Sequence, residues 1–531
     1  MKHFLLIWNT IKNLTLGQFF FQIWYRIKSP FISSVRYDDY DKAHFYPINF
    51  RFPELIVSHG KLLESNSFIF LNQAKTFTDK IDWNFQRYGK LWNYNLQYFD
   101  YLLDKAAPEN EKRILLEDFC ISLLNREIRL EPYPVSIRLI NWSIFYSIYN
   151  YSSVNFEKAF QYQVSYLCHN LEYHIKANHL LENYIALFVS SYVLRNEDLC
   201  KFSFNKILRE LEEQILHDGS HYERTPMYHS IILSRILLLL DMIDQNNWII
   251  GNNETLKNCA EKMLSWLRTF LFNNGKWAFV NDSTTGISTE PSILFNVASA
   301  LSVPVSYGKL YDSGYRRFNN FEIEVLINAG NILPVYQPGH SHSDMLSFFV
   351  NYKNQPILVD TGISTYDPNK RRLQERKTSA HNTVAINDSD QSEVWQSFRI
   401  SRRAKLNISK DEEGYLVAEH NGYLRNFGKL HQRTFNLQNY CLTITDSLFD
   451  KKEKNKKAEI IAYFHFDHLV RLKQLGPNEY CINDNIVISF NNAEQTEISE
   501  YQQATGYNML KIALMLKVIF AKSLITKINF S

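Results

Sequence analysis

Residues 336–362 read YQPGHSHSDMLSFFVNYKNQPILVDTG. Two apolar runs, MLSFFV and PILV, are separated by a Lys-Asn turn and closed by Thr-Gly, the pattern of short strands joined by tight turns. Ahead of them, behind the Pro338-Gly339 pair, stand His340, His342 and Asp344. Alternate residues of an extended segment share a face, so these three groups are expected to point one way if the segment is extended. They are candidates for metal ligation, for acid/base chemistry, or for a satisfied polar turn.

The period of the chain changes upstream of this stretch. From about residue 85 to 305, segments such as LLENYIALFVSSYVLRN (180–196) and IILSRILLLLDMIDQ (231–245) carry apolar residues at i, i+3, i+4 and i+7. Connectors such as HDGS (217–220) and NNGK (273–276) are short. Many helices with short links predict a bundle, a solenoid or a ring of helical hairpins. No fixed repeat is present, which disfavours a plain solenoid. After about residue 318 the period becomes two, as in FEIEVLINAG (321–330), GYLVAEHNGY (414–423) and YCLTITDSL (440–448). Serial short strands predict an antiparallel β-sandwich. The division is therefore an N-terminal extension (1–84) with an amphipathic helix, a helical domain (85–305), a linker (302–317) and the sandwich (318–531).

Bulk properties narrow the function. The net charge is +3 and no long basic run occurs, so nucleic acid is not an expected partner. The six cysteines are scattered and form no CxxC pair, which argues against cysteine-held zinc or a disulfide framework. No P-loop, GxGxxG or GxSxG sits in a strand–turn–helix setting, so an organic cofactor is not expected. The amino terminus, MKHFLLIWNTIKNLTLGQFFFQIWYRIKSPF, shows neither a clean cleavable leader nor an uninterrupted spanning run. Its apolar residues fall at helical spacing with Lys2, Lys12, Arg26 and Lys28 among them. That pattern suits a helix lying on a membrane surface or one packed on the protein's own body. The expected location is cytoplasmic or peripheral on the inner membrane, with the periplasm or cell envelope as the alternative.

Four clusters carry candidate chemistry. His342, Asp360 and His381 begin or end neighbouring strand runs, and two His with one Asp make a zinc site with an open position. In KANHLLENYIAL (176–187), Asn178, His179 and Glu182 fall within one helical turn, as a helix cap or as a patch that holds a carboxylate. In HDGSHYERTPMYHSII (217–232), Thr225-Pro226 starts a helix and puts Tyr228 on its first turn. Arg224 and two histidines beside it are expected to lower its pKa. In RRLQERKTSAHNT (371–383), Arg371, Arg372, Arg376 and Lys377 are either solvated or an attraction for a polyanion.

Taken jointly, GHSHSDMLSF (339–348), ILVDTG (357–362), SAHNTV (379–384), NHLLEN (178–183) and ERTPMYH (223–229) resemble the heparinase II/III-like polysaccharide lyases and their alginate-lyase relatives. The resemblance covers about residues 85 to 520. LWNYNLQYFDYL (91–102), EPYPVSIRLINW (131–142) and DQSEVWQSFR (390–399) are similar to members found in bacterial surface-polysaccharide gene clusters. The resemblance implies an (α/α) toroid followed by the sandwich, with the cleft between them. It implies catalytic roles for Tyr228 and His340, carboxylate neutralisation by Asn178 and His179, and a structural zinc on His342, Asp360 and His381. Glu182, Arg224, Arg376, Trp395 and Arg399 are the candidate substrate contacts. The reaction implied is β-elimination on an anionic uronate polysaccharide, with capsule or exopolysaccharide metabolism as its setting. A uronyl C5-epimerase, a non-catalytic polysaccharide-binding or assembly protein, and a glycosidase using Glu182 and Glu223 are the competing readings.

Overall fold

The computed structural model describes residues 2–28, 44–56, 60–64, 66–250, 253–452 and 458–531. Helices from Lys90–Tyr98 to Pro291–Ala300 run in hairpins and form an (α/α) toroid. Antiparallel sheets follow from Tyr315 onward, so the domain order is the one the change of period predicts. The helix Pro226–Gln245 is apolar almost all round because it is buried almost all round. Pro226 occupies its first turn and the Thr225 hydroxyl accepts the Tyr228 backbone N–H at 3.1 Å. That cap fixes where the helix begins and places Tyr228 on its first turn.

The N-terminal extension holds more structure than the amphipathic helix alone. Two helices, Lys2–Ile11 and Leu16–Lys28, precede a three-stranded antiparallel sheet of residues Gly60–Glu64, Ser67–Phe70 and Gln73–Thr76. Its turns use left-handed Asn66, Leu71 and Asn72, and its apolar face packs Phe68 and Phe70 against Trp92 and Tyr101. These strands are four or five residues long, too brief for the alternation to stand out in sequence.

The sandwich pairs a four-stranded sheet (315–358) with a ten-stranded one. Its longest hairpin, Ile486–Gly506 with Met509–Phe530, carries apolar residues on both faces in places, which blurs the alternation. Inside the sandwich is a fully buried polar network. Arg433 Nε and Nη2 donate to the two oxygens of Asp446 at 2.7 and 3.0 Å, and Arg433 Nη1 donates to the carbonyls of Leu346 and Asn382. His431 shares Asp446 from two residues away on the same strand face. The network ties the core to the loops that carry His342 and His381.

Burial works against the Asp446 carboxylate, but Arg433 and His431 outweigh it and lower its pKa to about 2. An unfolded aspartate titrates near 3.9. The contribution is therefore complete above about pH 4 and is lost as pH falls through about 2. Asp446→Asn strands the Arg433 charge, and urea unfolding at pH 7 is expected to show a loss of about 3–5 kcal/mol. The variant is also expected to lose less stability than wild type between pH 4 and 2.

Candidate active site

A cavity of about 710 Å³ lies between the toroid and the sandwich. Asn178, His179 and Tyr228 line it from the helices, and His340, Tyr366 and Phe398 from the β domain. The Tyr228 and His340 rings are 4.1 Å apart at a tilt of 34°. The Tyr228 hydroxyl is 3.2 Å from that of Tyr366.

The organising group is Asp282, on the loop between helices Glu254–Phe270 and Pro291–Ala300. It is completely buried. Arg372 Nη1 and Nη2 clamp its oxygens at 2.5 and 2.6 Å. His340 Nδ1 meets Oδ2 at 2.9 Å, and His342 Nε2 meets Oδ1 at 2.8 Å. Burial opposes the charge, yet Arg372 and the two imidazoles hold the Asp282 carboxyl well below the usual carboxylate range. An ionised carboxylate only accepts hydrogen bonds, so each ring nitrogen facing it carries the proton. His340 therefore keeps its lone pair on Nε2, and His342 keeps its own on Nδ1.

His381 is held by a second carboxylate, Asp360, whose own pKa burial pushes up and which raises the His381 pKa against burial. Its Nδ1 lies 2.7 Å from Asp360 Oδ2, leaving Nε2 as the second nitrogen. His342 Nδ1 and His381 Nε2 are both buried without a hydrogen-bond partner, on rings 5.3 Å apart. Two buried, partnerless ring nitrogens fit a metal once both rings are neutral. Asp360 accepts from His381 and from the Thr361 backbone N–H, so it orients His381 in the arrangement seen. Among the described residues, no three His, Cys, Asp or Glu groups stand together as a ready-made ion site.

The opposite wall sets donors and cations among carboxylates: Lys90, Asn178, His179 and Arg235 line it beside Glu131, Glu172 and Glu223. Asn178 is not a cap: the helix Ala177–Leu194 starts after Lys176, which makes no side-chain cap, and Asn178 turns into the cavity. His179 stacks on Tyr133 at 4.2 Å and bonds Glu172 at 3.0 Å. Burial disfavours its charge, but Glu172 and Glu223 outweigh that and raise its pKa. Arg235 also lines the cavity. It is the one charged residue within ILSRILLLL (232–240), and a charge there must have a buried partner, which is a signal the sequence offers.

Several expected contacts are corrected by geometry. Glu182 does not line the cavity; it is buried against Arg235 Nε at 3.0 and 3.1 Å and so holds that cation. The glycosidase pair of Glu182 and Glu223 therefore loses a member. Arg224 points away from Tyr228, donating to Ser313 O, Asn331 O and Asn328 Oδ1, and Asn328 in turn donates to Asp344. It pins the domains together. Arg376 gives its donors to the carbonyls of Ser341, Gln396 and Ser397. Arg371 and Lys377 pair with Glu375 and Asp388, so the basic loop is not an open patch. Trp395 donates to Thr10 of the N-terminal hairpin at 3.1 Å, and Arg399 stacks on it, both outside the cavity. The Tyr228 pKa is not lowered: burial pushes its phenol well above the usual value.

The segment bearing His340 and His342 is also not an extended strand. Ser341 N–H bonds Pro338 O at 3.2 Å, and the strand begins only at Phe348. The turn lets both rings reach one carboxylate through opposite nitrogens.

The N-terminal heparinase II/III model matches residues 69–303, and the heparinase II/III-like C-terminal model matches 303–518. The chain belongs to the heparinase II/III family. This family assignment makes it a polysaccharide lyase. No curated protein sequence matches the chain. Among solved structures, a heparinase III aligns at TM-score 0.65 and 16% identity, over 86% of this chain and 80% of that one. A mutant heparan sulfate lyase from Pedobacter heparinus aligns at TM-score 0.58 and 14% identity, over 96% and 87%. At such identities the likeness establishes the shared toroid-plus-sandwich fold. The cavity is lined from both matched regions.

If Asp282 sets the tautomers, ¹⁵N NMR will find the proton of the neutral His340 ring on Nδ1. Asp282→Asn, whose amide can also donate, is expected to mix the two tautomers.

Proposed function

We propose that this heparinase-type lyase acts on a uronic-acid polysaccharide by β-elimination, with Tyr228 and His340 as the proton-transfer pair. The observation that carries the reading is the contact of those two rings at 4.1 Å inside the interdomain cavity. The C5 proton of a uronate is acidic only when its carboxylate is neutralised. Asn178, His179 and Arg235 face the cavity as a donor and cation set suited to that carboxylate. Preorganised donors of this kind contribute roughly 3 kcal/mol each where measured.

His340 offers Nε2 as the base, because Asp282 occupies Nδ1. It takes the C5 proton, and the electron pair moves to form the C4–C5 double bond as the O4 bond breaks. Tyr228, kept protonated by burial, donates to the departing O4. Tyr366 holds the phenol oxygen in place. The motifs at 91–102, 131–142 and 390–399 support a bacterial surface polysaccharide as the polymer.

Incubation with a panel of uronate polysaccharides is expected to produce absorbance of a C4–C5 unsaturated sugar. Tyr228→Phe and His340→Ala are each expected to lower kcat by roughly 10²–10⁴ with the fold intact. Solvent hydrogen at C5 without chain cleavage would instead identify an epimerase. Neither product on any polymer would refute this reading.

We further propose a structural zinc held by His342 and His381, with Asp360 orienting His381, which would tie together the β-domain loops behind His340. Two buried, partnerless ring nitrogens support it. Elemental analysis is expected to give close to one zinc per chain, lost in His342→Ala and His381→Ala together with thermal stability. A metal-free wild type after zinc loading would rule the site out.

A further inference from the structure

The N-terminal helices present an apolar stripe to solvent. In Leu16–Lys28, the residues Leu16, Phe19, Phe20, Ile23, Trp24 and Ile27 recur at helical spacing and all are exposed, Leu16 at 90%. The inward face instead carries Gln18, 1% exposed, whose amide donates to Ile175 O at 3.3 Å. Phe21 stacks on Tyr173 at 4.6 Å, and the Tyr25 hydroxyl donates to Leu171 O. Helix Lys2–Ile11 continues the outer stripe with Phe4, Leu5, Trp8 and Ile11, while Asn9 turns inward. A surface helix of a soluble protein buries its apolar stripe and exposes the polar one. Here two adjacent helices pack Gln18, Phe21 and Tyr25 inward yet leave a larger apolar stripe exposed, and large exposed apolar faces mark interaction surfaces.

The charge identifies the occupant. Residues 1–37 contain Lys2, Lys12, Arg26, Lys28 and Arg36 and no Asp or Glu. Lys12 and Arg26 are exposed on the two helices that present the stripe. Bulky aromatics beside cations, without one acidic residue, complement a negatively charged lipid surface. The helices have 10 and 13 residues, so neither crosses a hydrocarbon core about 30 Å thick. We propose that residues 2–28 form a hairpin that lies in the interface of an anionic membrane and seats the protein on it.

The hairpin is joined to the cavity rim. Ile175, which accepts from Gln18, lines the cavity, and Trp395, which donates to Thr10, precedes cavity-lining Phe398 on one ribbon turn. Seating the hairpin therefore places the end of the cavity near Ile175 and Phe398 on the membrane-facing side of the protein. The docking itself stands whatever reaction the cavity performs.

Flotation of the full chain with phosphatidylethanolamine/phosphatidylglycerol vesicles tests this, against pure phosphatidylcholine vesicles and a Phe20→Glu/Trp24→Glu variant. Wild type is expected to float with the anionic vesicles, with bound protein falling roughly tenfold or more on phosphatidylcholine and in the variant. Wild type that stays unbound, or a variant that floats equally well, overturns the proposal. So does a vesicle-free dimer that the variant splits, since the face would then be covered by a second copy. Should the variant melt early, quenching of wild-type tryptophan fluorescence by brominated anionic lipid decides. Quenching that Trp8→Phe/Trp24→Phe abolishes supports docking, and its absence in wild type refutes it.

Discussion

One carboxylate, that of Asp282, carries the arrangement of the whole site. It comes from the last part of the toroid, and all three of its ionic partners, His340, His342 and Arg372, come from the β domain. A buried charge is tolerable only when it is paired and hydrogen-bonded on every side. The pairing therefore does two things at once. It locks the domains in one relative position, and it sets which nitrogen of each imidazole is bare. The His340 ring is aimed at the cavity and the His342 ring away from it by the same two oxygens.

Polar groups elsewhere serve that geometry. Arg224 reaches across the domain boundary to three oxygens, one of them on Asn328, which in turn holds Asp344. Arg433 joins the sandwich core to the carbonyls of Leu346 and Asn382. Glu182 holds Arg235 at the cavity wall. None of these side chains needs to touch a substrate. Glu182 removes freedom from a cavity-lining side chain, and the two arginines fix the backbone from which the β-domain loops emerge; preorganisation of this kind is how a site stabilises charge that develops during reaction.

The order of the domains was legible because period is a local property. An i, i+3, i+4 pattern in 180–196 and an alternating one in 414–423 each follow from the face that the neighbours bury. The short strands between residues 60 and 76 were not legible, because four or five residues do not establish a period. Among site residues, Tyr228 was readable from Thr225-Pro226, since a cap and a first-turn proline fix the start of a helix. Asp282 was not readable, because an acidic residue in a polar loop looks the same whether it is solvated or buried. Arg224 and Arg376 were misread for the same reason: a guanidinium in sequence does not show whether its five donors end on a ligand or on backbone carbonyls.

The sequence by itself determined the helix-then-strand order, the placement of Tyr228 on a helix start, and the absence of acidic residues along an apolar N-terminal pattern. Those follow from spacing and composition along a few consecutive turns. Only the tertiary structure decided which polar residues face the cavity, which way each imidazole presents its lone pair, and that the N-terminal stripe points to solvent. These depend on groups brought together from 60 or 90 residues away, such as His342 or Arg372 with Asp282, and on which side of a helix is covered. No local pattern encodes a partner at that separation, so the chemistry of the site is settled only once the two domains close on Asp282.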